Sequence, residues 1–551
     1  MGSSILTLPS LQDLDKRFET EARARRYQAL GRACRDEGLT ALMVAHHGDD
    51  QAETVMMRLA NNRLRTGLSG MRSVEWIPEC EGIYGVHRSG KSIQPTDFDL
   101  LPYPVADGGI QILRPLLAME KSRLISTCEA EGVEWAEDKS NRVQTLTSRN
   151  AIRHIYKNYK LPEALSIQSL VNVSQQMQRR ITMHQSYADR LLDQCFLKLD
   201  IRLGTLLVRF PPFSSLLERP IQTESDANEA RNNAYCLIEK VSSMVTPVTR
   251  PSLGQLATRL DDIYPEFLNV DGGAEGAAVG KGYSTFTVYR VWWRRWDKAS
   301  PFDNDGLPDE DFGSSAPHPR EWLLTRQALE GGEAEQLRVI IPPQDTLSPN
   351  AEWETKDSYH LFDNRFWIKI KNLTNDTLVL RMFEKADMDR LPLSQRDQHG
   401  RWPPRFIVAA LSLIKPSDIR FTLPAVFRKD SVTGEEILIG LPTLKVRVNG
   451  FGPPTRTCNW HVLYKKVDLG QRSVNEVIVH EKSKNEVIEE ERLLRRKITK
   501  HKVLNFLETN SERSKVLNFQ SKAGFRKRKR PSTKIEPIFE TSSDIWPPRE
   551  L

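Results

Sequence analysis

Apolar and polar positions follow two rhythms along this chain, and each predicts a kind of element. Residues 39–45 are a short apolar run that breaks into two histidines, a glycine and two aspartates (ALMVAHHGDD), the pattern of a buried strand ending in a polar tip. Ala52, Val55, Met56 and Leu59 then recur at helical spacing, which predicts a helix starting near Asp49 or Asp50. The same period predicts helices over 18–36, 119–132, 166–199 and 227–245, and one whose first turns hold Arg149, Asn150 and Arg153. Val173, Met177, Ile181, Ala188, Leu191 and Cys195 share one side of the 166–199 pattern, and His184 beside them reads as a packed histidine. Residues 72–109 read as a loop with a short strand at 82–87, and 112–117 as a further strand.

Beyond residue 270 the rhythm shortens. Residues 271–282 (DGGAEGAAVGKG) fail as a nucleotide loop, because Glu275 stands where its first glycine belongs and Gly282 replaces the Ser or Thr. Residues 283–296 alternate like a strand, with Trp292, Trp293 and Trp296 available for packing or for stacking on bases beside Arg294 and Arg295. Short strand patterns follow at 321–324, 337–341, 366–370, 378–383, 419–427, 436–441 and 461–467. We therefore expect an α/β domain with a parallel sheet over 1–160 and a helical linker domain over 161–270. A β-rich accessory domain over 283–470, with a linker near 299–320, and a charged tail over 471–551 that contains KAGFRKRKR complete the expectation.

Composition narrows the class. At 551 residues the chain suits two to four domains of about 100 to 200 residues each. Hydrophobic residues at 39% and charged residues at 27% fit a soluble protein, and a formal charge of +7 permits a polyanionic partner. Six scattered cysteines without a CxxC argue against a disulfide framework and against a zinc or iron–sulfur site, so no metal is expected from cysteine. No apolar run approaches the roughly 20 residues of a membrane span, so no membrane partner is expected. Asp13, Asp15 and Glu19 disfavour a leader at the front, which leaves a mitochondrial or a cytoplasmic location open.

Chemistry concentrates where the first strand meets its helix, because ligands in parallel α/β sheets sit beyond the carboxyl ends of strands. His46, His47, Asp49, Asp50 and Glu53 occupy that turn. Two plainer readings compete. Asp50 and Glu53 have the spacing of an N-cap residue and its N3 partner. His46 and His47 resemble a metal pair, but adjacent side chains diverge on a strand and no third ligand stands at zinc spacing. Arg149 and Arg153, one helical turn apart, suit a phosphate, a carboxylate or an RNA backbone, or else an ion-paired helix start using Glu137 and Asp138.

The combination AHHGDDQAET followed by GLSGM resembles the tRNA(Ile)-lysidine synthetases of the N-type ATP pyrophosphatase (PP-loop) family. EARARRYQAL upstream, with Arg23 and Arg26, and RPLL, Trp135, Glu137, Asp138, Ser140, Asn141, Arg149, Asn150 and Arg153 downstream extend the resemblance over about the first 160 residues, in order. It implies an incomplete Rossmann-like fold and a ligase that uses ATP and Mg2+. Such an enzyme adenylates the C2 oxygen of the wobble cytidine of tRNA(Ile), and the amine of free L-lysine then displaces AMP. In that scheme Asp50 and Glu53 grip the lysine ammonium, Arg149 acts with them in catalysis, and His46 and His47 line the nucleotide. Asn150, Arg153, Arg23 and Arg26 meet the tRNA.

The family's SGGxDS phosphate loop has no counterpart in MGSS or LPSLQD, and the family's glycines before GLSGM are replaced by Asn61, Asn62, Arg63 and Leu64. Two expectations follow. The chain is an N-terminally truncated form, inactive in ATP–pyrophosphate exchange as given, or it is a non-catalytic RNA-binding remnant of the family. The oligomeric state is left open.

Overall fold

The computed structural model describes residues 18–93, 104–135, 148–249, 251, 253–256, 258–270, 285–298, 300–302, 318–343, 358–390, 411, 414–447 and 458–479. Glu137, Asp138, Ser140, Asn141, the 271–282 run, most of the expected linker and the basic tail lie outside them.

The first part runs α1 (Phe18–Asp36), β1 (Ala41–Met43), α2 (Gly48–Ala60), β2 (Val74–Trp76), β3 (Lys91–Ile93), β4 (Val105–Asp107), β5 (Gln111–Leu113), α3 (Lys121–Ala130) and α4 (Ser148–Asn158). β5 lies parallel to β1, with Ala41 opposite Gln111 and Met43 opposite Leu113, and β2 runs antiparallel along its other side. A parallel pair whose first strand feeds a helix is the Rossmann-like element expected here.

β1 differs from expectation in burial. Leu42 packs with Tyr27, Ile77, Val86, Ile110 and Ile112, but Met43 is 67% exposed. Among the described strands β1 is an edge, so period-two alternation buries only one of its faces. The short strand expected at 82–87 is a turn, with Gly82, Gly85 and Gly90 at positive φ. A Cβ on Gly90 would meet the Gly85 Cα at 2.6 Å, so this backbone folds onto itself.

α5 (Ile167–Gln194) follows, then β6 (Phe196–Asp200), β7 (Thr205–Arg209) and α6 (Glu224–Ser243). α5 starts where the Ser166 hydroxyl accepts the Ser169 amide, and Thr223 and Asp226 cap α6 reciprocally. Ala188, Leu191 and Leu192 of α5 join Ala230, Ala234, Leu237 and Val241 of α6 in the largest core. His184 is packed as expected, its Nδ1 2.7 Å from the Asn233 Oδ1. The helix expected over 166–199 stops at Gln194, because Leu197 and Leu199 bury themselves at strand spacing.

The remaining strands are β8 (Thr285–Val288), β9 (Val291–Arg295), β10 (Glu321–Arg326), β11 (Val339–Ile341), β12 (Tyr359–Phe362), β13 (Phe366–Asn372), β14 (Thr377–Met382), β15 (Pro424–Lys429), β16 (Glu436–Leu441), β17 (Val446–Arg447) and β18 (Cys458–Tyr464). Among the described residues they form, with β3, β4, β6 and β7, three five-stranded sheets in the orders β6-β7-β10-β9-β8, β11-β14-β15-β16-β17 and β12-β13-β18-β4-β3. The single strand expected at 283–296 is a hairpin. Its turn residues Tyr289 and Arg290 both have positive φ without the Gly or Asn that normally signals such a turn. Trp293 is fully buried between Phe210 and Phe286, so this tryptophan packs the core.

Candidate active site

β1 delivers His46 and His47 to the start of α2. His47 is the N-cap, and its amide donates to the Asp50 Oδ2 at 3.1 Å, so Asp50 is the N3 acid of the cap. The cap expected at Asp50 and Glu53 thus sits three residues earlier, which frees Glu53 from any capping role. Asp49 accepts the Lys121 amide at 2.8 Å and lies 3.6 Å from the His47 Nδ1. The Asp49 contact raises the His47 pKa against the effect of burial. Burial also works against the Asp49 charge, but the His47 and Lys121 hydrogen bonds outweigh it and hold that carboxyl below its ordinary range.

One turn on, Glu53 stands beside Asp50, and α4 meets them with two arginines. Arg153 Nε lies 2.6 Å from Glu53 Oε1, and its Nη2 lies 3.4 Å from Asp50 Oδ1. Arg149 Nε is 3.5 Å from Glu53 Oε2 but makes no hydrogen bond to it. Glu53 Oε2 is therefore buried with no donor of its own. Burial pushes the Glu53 pKa up in spite of Arg153, so its charge is only partly compensated. The carboxylate side chains are 12% and 6% exposed and the two arginines 24% and 30%, which leaves the cluster open from the α4 side.

His46 lies next to this cluster. Arg114 Nε, 3.4 Å away, donates to its Nδ1, and Arg114 is fixed in turn by Glu75 at 2.7 Å and the Arg72 carbonyl at 2.7 Å. Burial first, then the surrounding arginines, lower the His46 pKa to about 4 against the pull of Asp50. His46 is accordingly a neutral acceptor near pH 7. The positioning role of Arg114 was not read from the sequence; its place in RPLL is the only signal that pointed to it.

The far side of α2 is structural. Gln51 takes the Met71 carbonyl at 3.0 Å and the Met71 amide at 2.8 Å, and its Nε2 donates to Ser174 of α5 at 2.5 Å. Arg58 donates to the Gly67 and Gly70 carbonyls, and Gln178 to those of Ser69 and Met71. GLSGM is thus a loop stitched between α2 and α5. Gly70, at φ +62°, has no room for a Cβ, which would lie 2.6 Å from Gln51. The asparagines before it also have a local reason. Asn61 Nδ2 donates to the Met57 carbonyl, and Asn62 takes a left-handed conformation at the end of α2.

The remaining site residues divide. Arg23 pairs with Glu79 at 2.6 Å and is close enough to His46 to depress it. Arg26 is exposed and stacks over Tyr27 at 5.7 Å. Asn150 is buried at 6% exposure. Among the described residues no cluster of His, Cys, Asp or Glu is arranged for a metal ion, and each acid of the site already faces a histidine or an arginine. Mg2+ does not fit these acids. The α2 amides are likewise guarded by Asp49 and Asp50, which repel phosphate, so the ATP phosphates find no cradle here.

Residues 9–158 match the PP-loop domain family, whose members bind ATP. The chain is 26% identical over 434 residues to a Schizosaccharomyces pombe protein named "Probable tRNA(Ile)-lysidine synthase", covering 77% of this chain and 73% of that one. It is 29% identical over 177 residues to the tRNA(Ile)-lysidine synthase of Methylobacterium nodulans (32% of this chain, 43% of the relative). To that of Novosphingobium aromaticivorans it is 32% identical over 123 residues (22% and 29%). The chain spans less than half the length of these two bacterial relatives, whereas the yeast similarity runs well past the PP-loop domain into the β-rich region.

Proposed function

We propose that this PP-loop protein is a ligase of the tRNA(Ile)-lysidine synthase type, which joins the side-chain amine of L-lysine to C2 of the wobble cytidine of tRNA(Ile) after activation by ATP. The observation that carries the proposal is the Glu53 Oε2: buried, charged and without a donor, one helical turn from Asp50. An ammonium group brings three donors on a compact charge, and burial, which raises the Glu53 pKa, makes such a cation a favourable partner for its carboxylate. Arg153, held by both acids, yields one of its contacts to the incoming amine and keeps the pair from repelling itself while the site is empty. Arg149 faces the same carboxylate and stands ready to turn toward the adenylated base, with Arg23 and Arg26 offering charge to the RNA.

The test separates amine recognition from ATP use. Lysine should raise the melting temperature of the full chain and norleucine, which lacks the amine, should not. Asp50→Asn and Glu53→Gln should each weaken lysine binding roughly tenfold or more, the scale of one lost charged hydrogen bond. Lysine incorporation into a tRNA(Ile) transcript with ATP is the second measurement. If tRNA binds tightly while lysine neither stabilises the chain nor enters the RNA, the chain is an RNA-binding relative without the ligase reaction.

A further inference from the structure

Some distance along the chain from these acids, the turn at 82–90, the segment after α6 and the end of β18 enclose a cavity of about 120 Å3. At about 30 Å3 per water molecule, it holds a few waters or one tetrahedral anion. Arg88, Lys465 and Lys466 line it, with Thr249 and Asn364 offering neutral polar groups. Glu81 is the acid on its wall.

The three cations differ in how well they are satisfied. Lys466 is paired with Asp107 at 2.6 Å and lies over Trp76, so it belongs to the rim. Lys465 Nζ donates to the Thr246 carbonyl at 2.6 Å, a neutral acceptor that does not compensate its charge. The Arg88 Nε is buried and makes no hydrogen bond. Arg88 sits at φ +48° in a turn that also holds Gly85 and Gly90 at positive φ. A buried guanidinium nitrogen without a partner is costly, even with the Asp468 charge acting on Arg88, and a cavity with such a group on its wall calls for an anion.

We propose that this cavity binds a phosphate group, held by Arg88 and Lys465 and screened at the rim by Lys466. The class is a tetrahedral oxyanion, borne either by an RNA backbone or by free inorganic phosphate. The state of Lys465 supports this. Burial, with Arg365 and Arg88 adding repulsion and Asp363 opposing them, brings its pKa down to about 7. An amine held half-charged among cations regains its proton when an anion enters. The site is independent of Asp50 and Glu53, so either proposal can fail without the other.

In the full chain, Lys465 should react quickly with an amine-acylating reagent at pH 7.5, and mass spectrometry should show it protected by inorganic phosphate or by tRNA. Arg88→Gln and Lys465→Met, checked for an unchanged far-ultraviolet spectrum, should weaken phosphate or tRNA binding about tenfold, and Lys465→Arg should restore it. If tRNA affinity falls and the dependence of log K on log salt loses about one unit of slope, the ligand is a backbone phosphate. If inorganic phosphate binding falls and tRNA binding is unchanged, it is a free anion. No protection of Lys465 by either ligand in the unmutated protein overturns the proposal, whatever the variants do.

Discussion

At Asp363 two arginines close over one carboxylate: Arg365 at 2.7 Å and Arg326 at 3.2 Å, all three side chains no more than 2% exposed, with Arg365 spending another donor on the Thr422 carbonyl. At Asp50 and Glu53 two arginines meet two carboxylates, keep about a quarter of their surface, and leave one carboxylate oxygen without a donor. Arginines face carboxylates in both, and the outcome differs. The first cluster is saturated and sealed, so it holds β10 against the β12–β13 turn and can do nothing else. The second is short of one donor and open, which is the condition under which a ligand cation can enter. Counting ion pairs would not separate them; counting unfilled acceptors and solvent access does.

The largest test of that contrast is Asp363→Asn, which keeps a residue tolerant of its positive φ, takes the carboxylate from Arg365 and leaves Arg326 with Glu333 at 3.6 Å. It should cost about 3–5 kcal/mol in urea unfolding, while the stabilisation of the remaining folded protein by lysine persists. The same substitution at Asp50 should cost about 1–3 kcal/mol and remove the lysine response. Equal losses of stability at the two sites would mean that the α2–α4 cluster is as closed as the other.

Gln51→Ala sharpens the comparison from the back of α2. It unties the Met71 amide, leaves the Met71 carbonyl to Gln178 and removes one of the Ser174 contacts, and should cost about 2 kcal/mol, read as a lower urea midpoint. Lysine specificity should survive. If it vanished with stability intact, Gln51 would belong to the site.

The smallest effect is in pH. His46 takes up its proton near pH 4 in the fold and near the ordinary histidine value of 6.5 in the unfolded chain. The unfolded state therefore binds more protons in that window, and stability falls as pH is lowered through it. His47 has the opposite sign: its raised pKa gives stability that is present below 6.5 and lost as pH rises through the folded value. His46→Gln should flatten the decline of melting temperature between pH 6.5 and 4. An unchanged slope would show that other groups carry it.

Much of the first half was legible from pattern. α1 and α6 lie where their apolar periods place them, and α2 starts within two residues of Asp50, because 3.6-residue spacing and capping residues act locally. AHHGDDQAET marked the turn between β1 and α2 for the same reason. Period alone did not separate the end of α5 from β6, where apolar residues suit both elements, and it missed the hairpin at Tyr289 and Arg290, whose backbone is imposed by its strands.

What only the tertiary structure decided is long-range partnership. Residue spacing put Arg149 and Arg153 on one helix face, but their approach to Glu53, about 100 residues away, depends on where α4 docks. The return of β3 and β4 to a sheet with β18 and the assembly of Arg88 with Lys465 have the same origin. A sequence states which side chains carry charge and at what local period; which charges are left unsatisfied is settled by packing, since that depends on every neighbour at once.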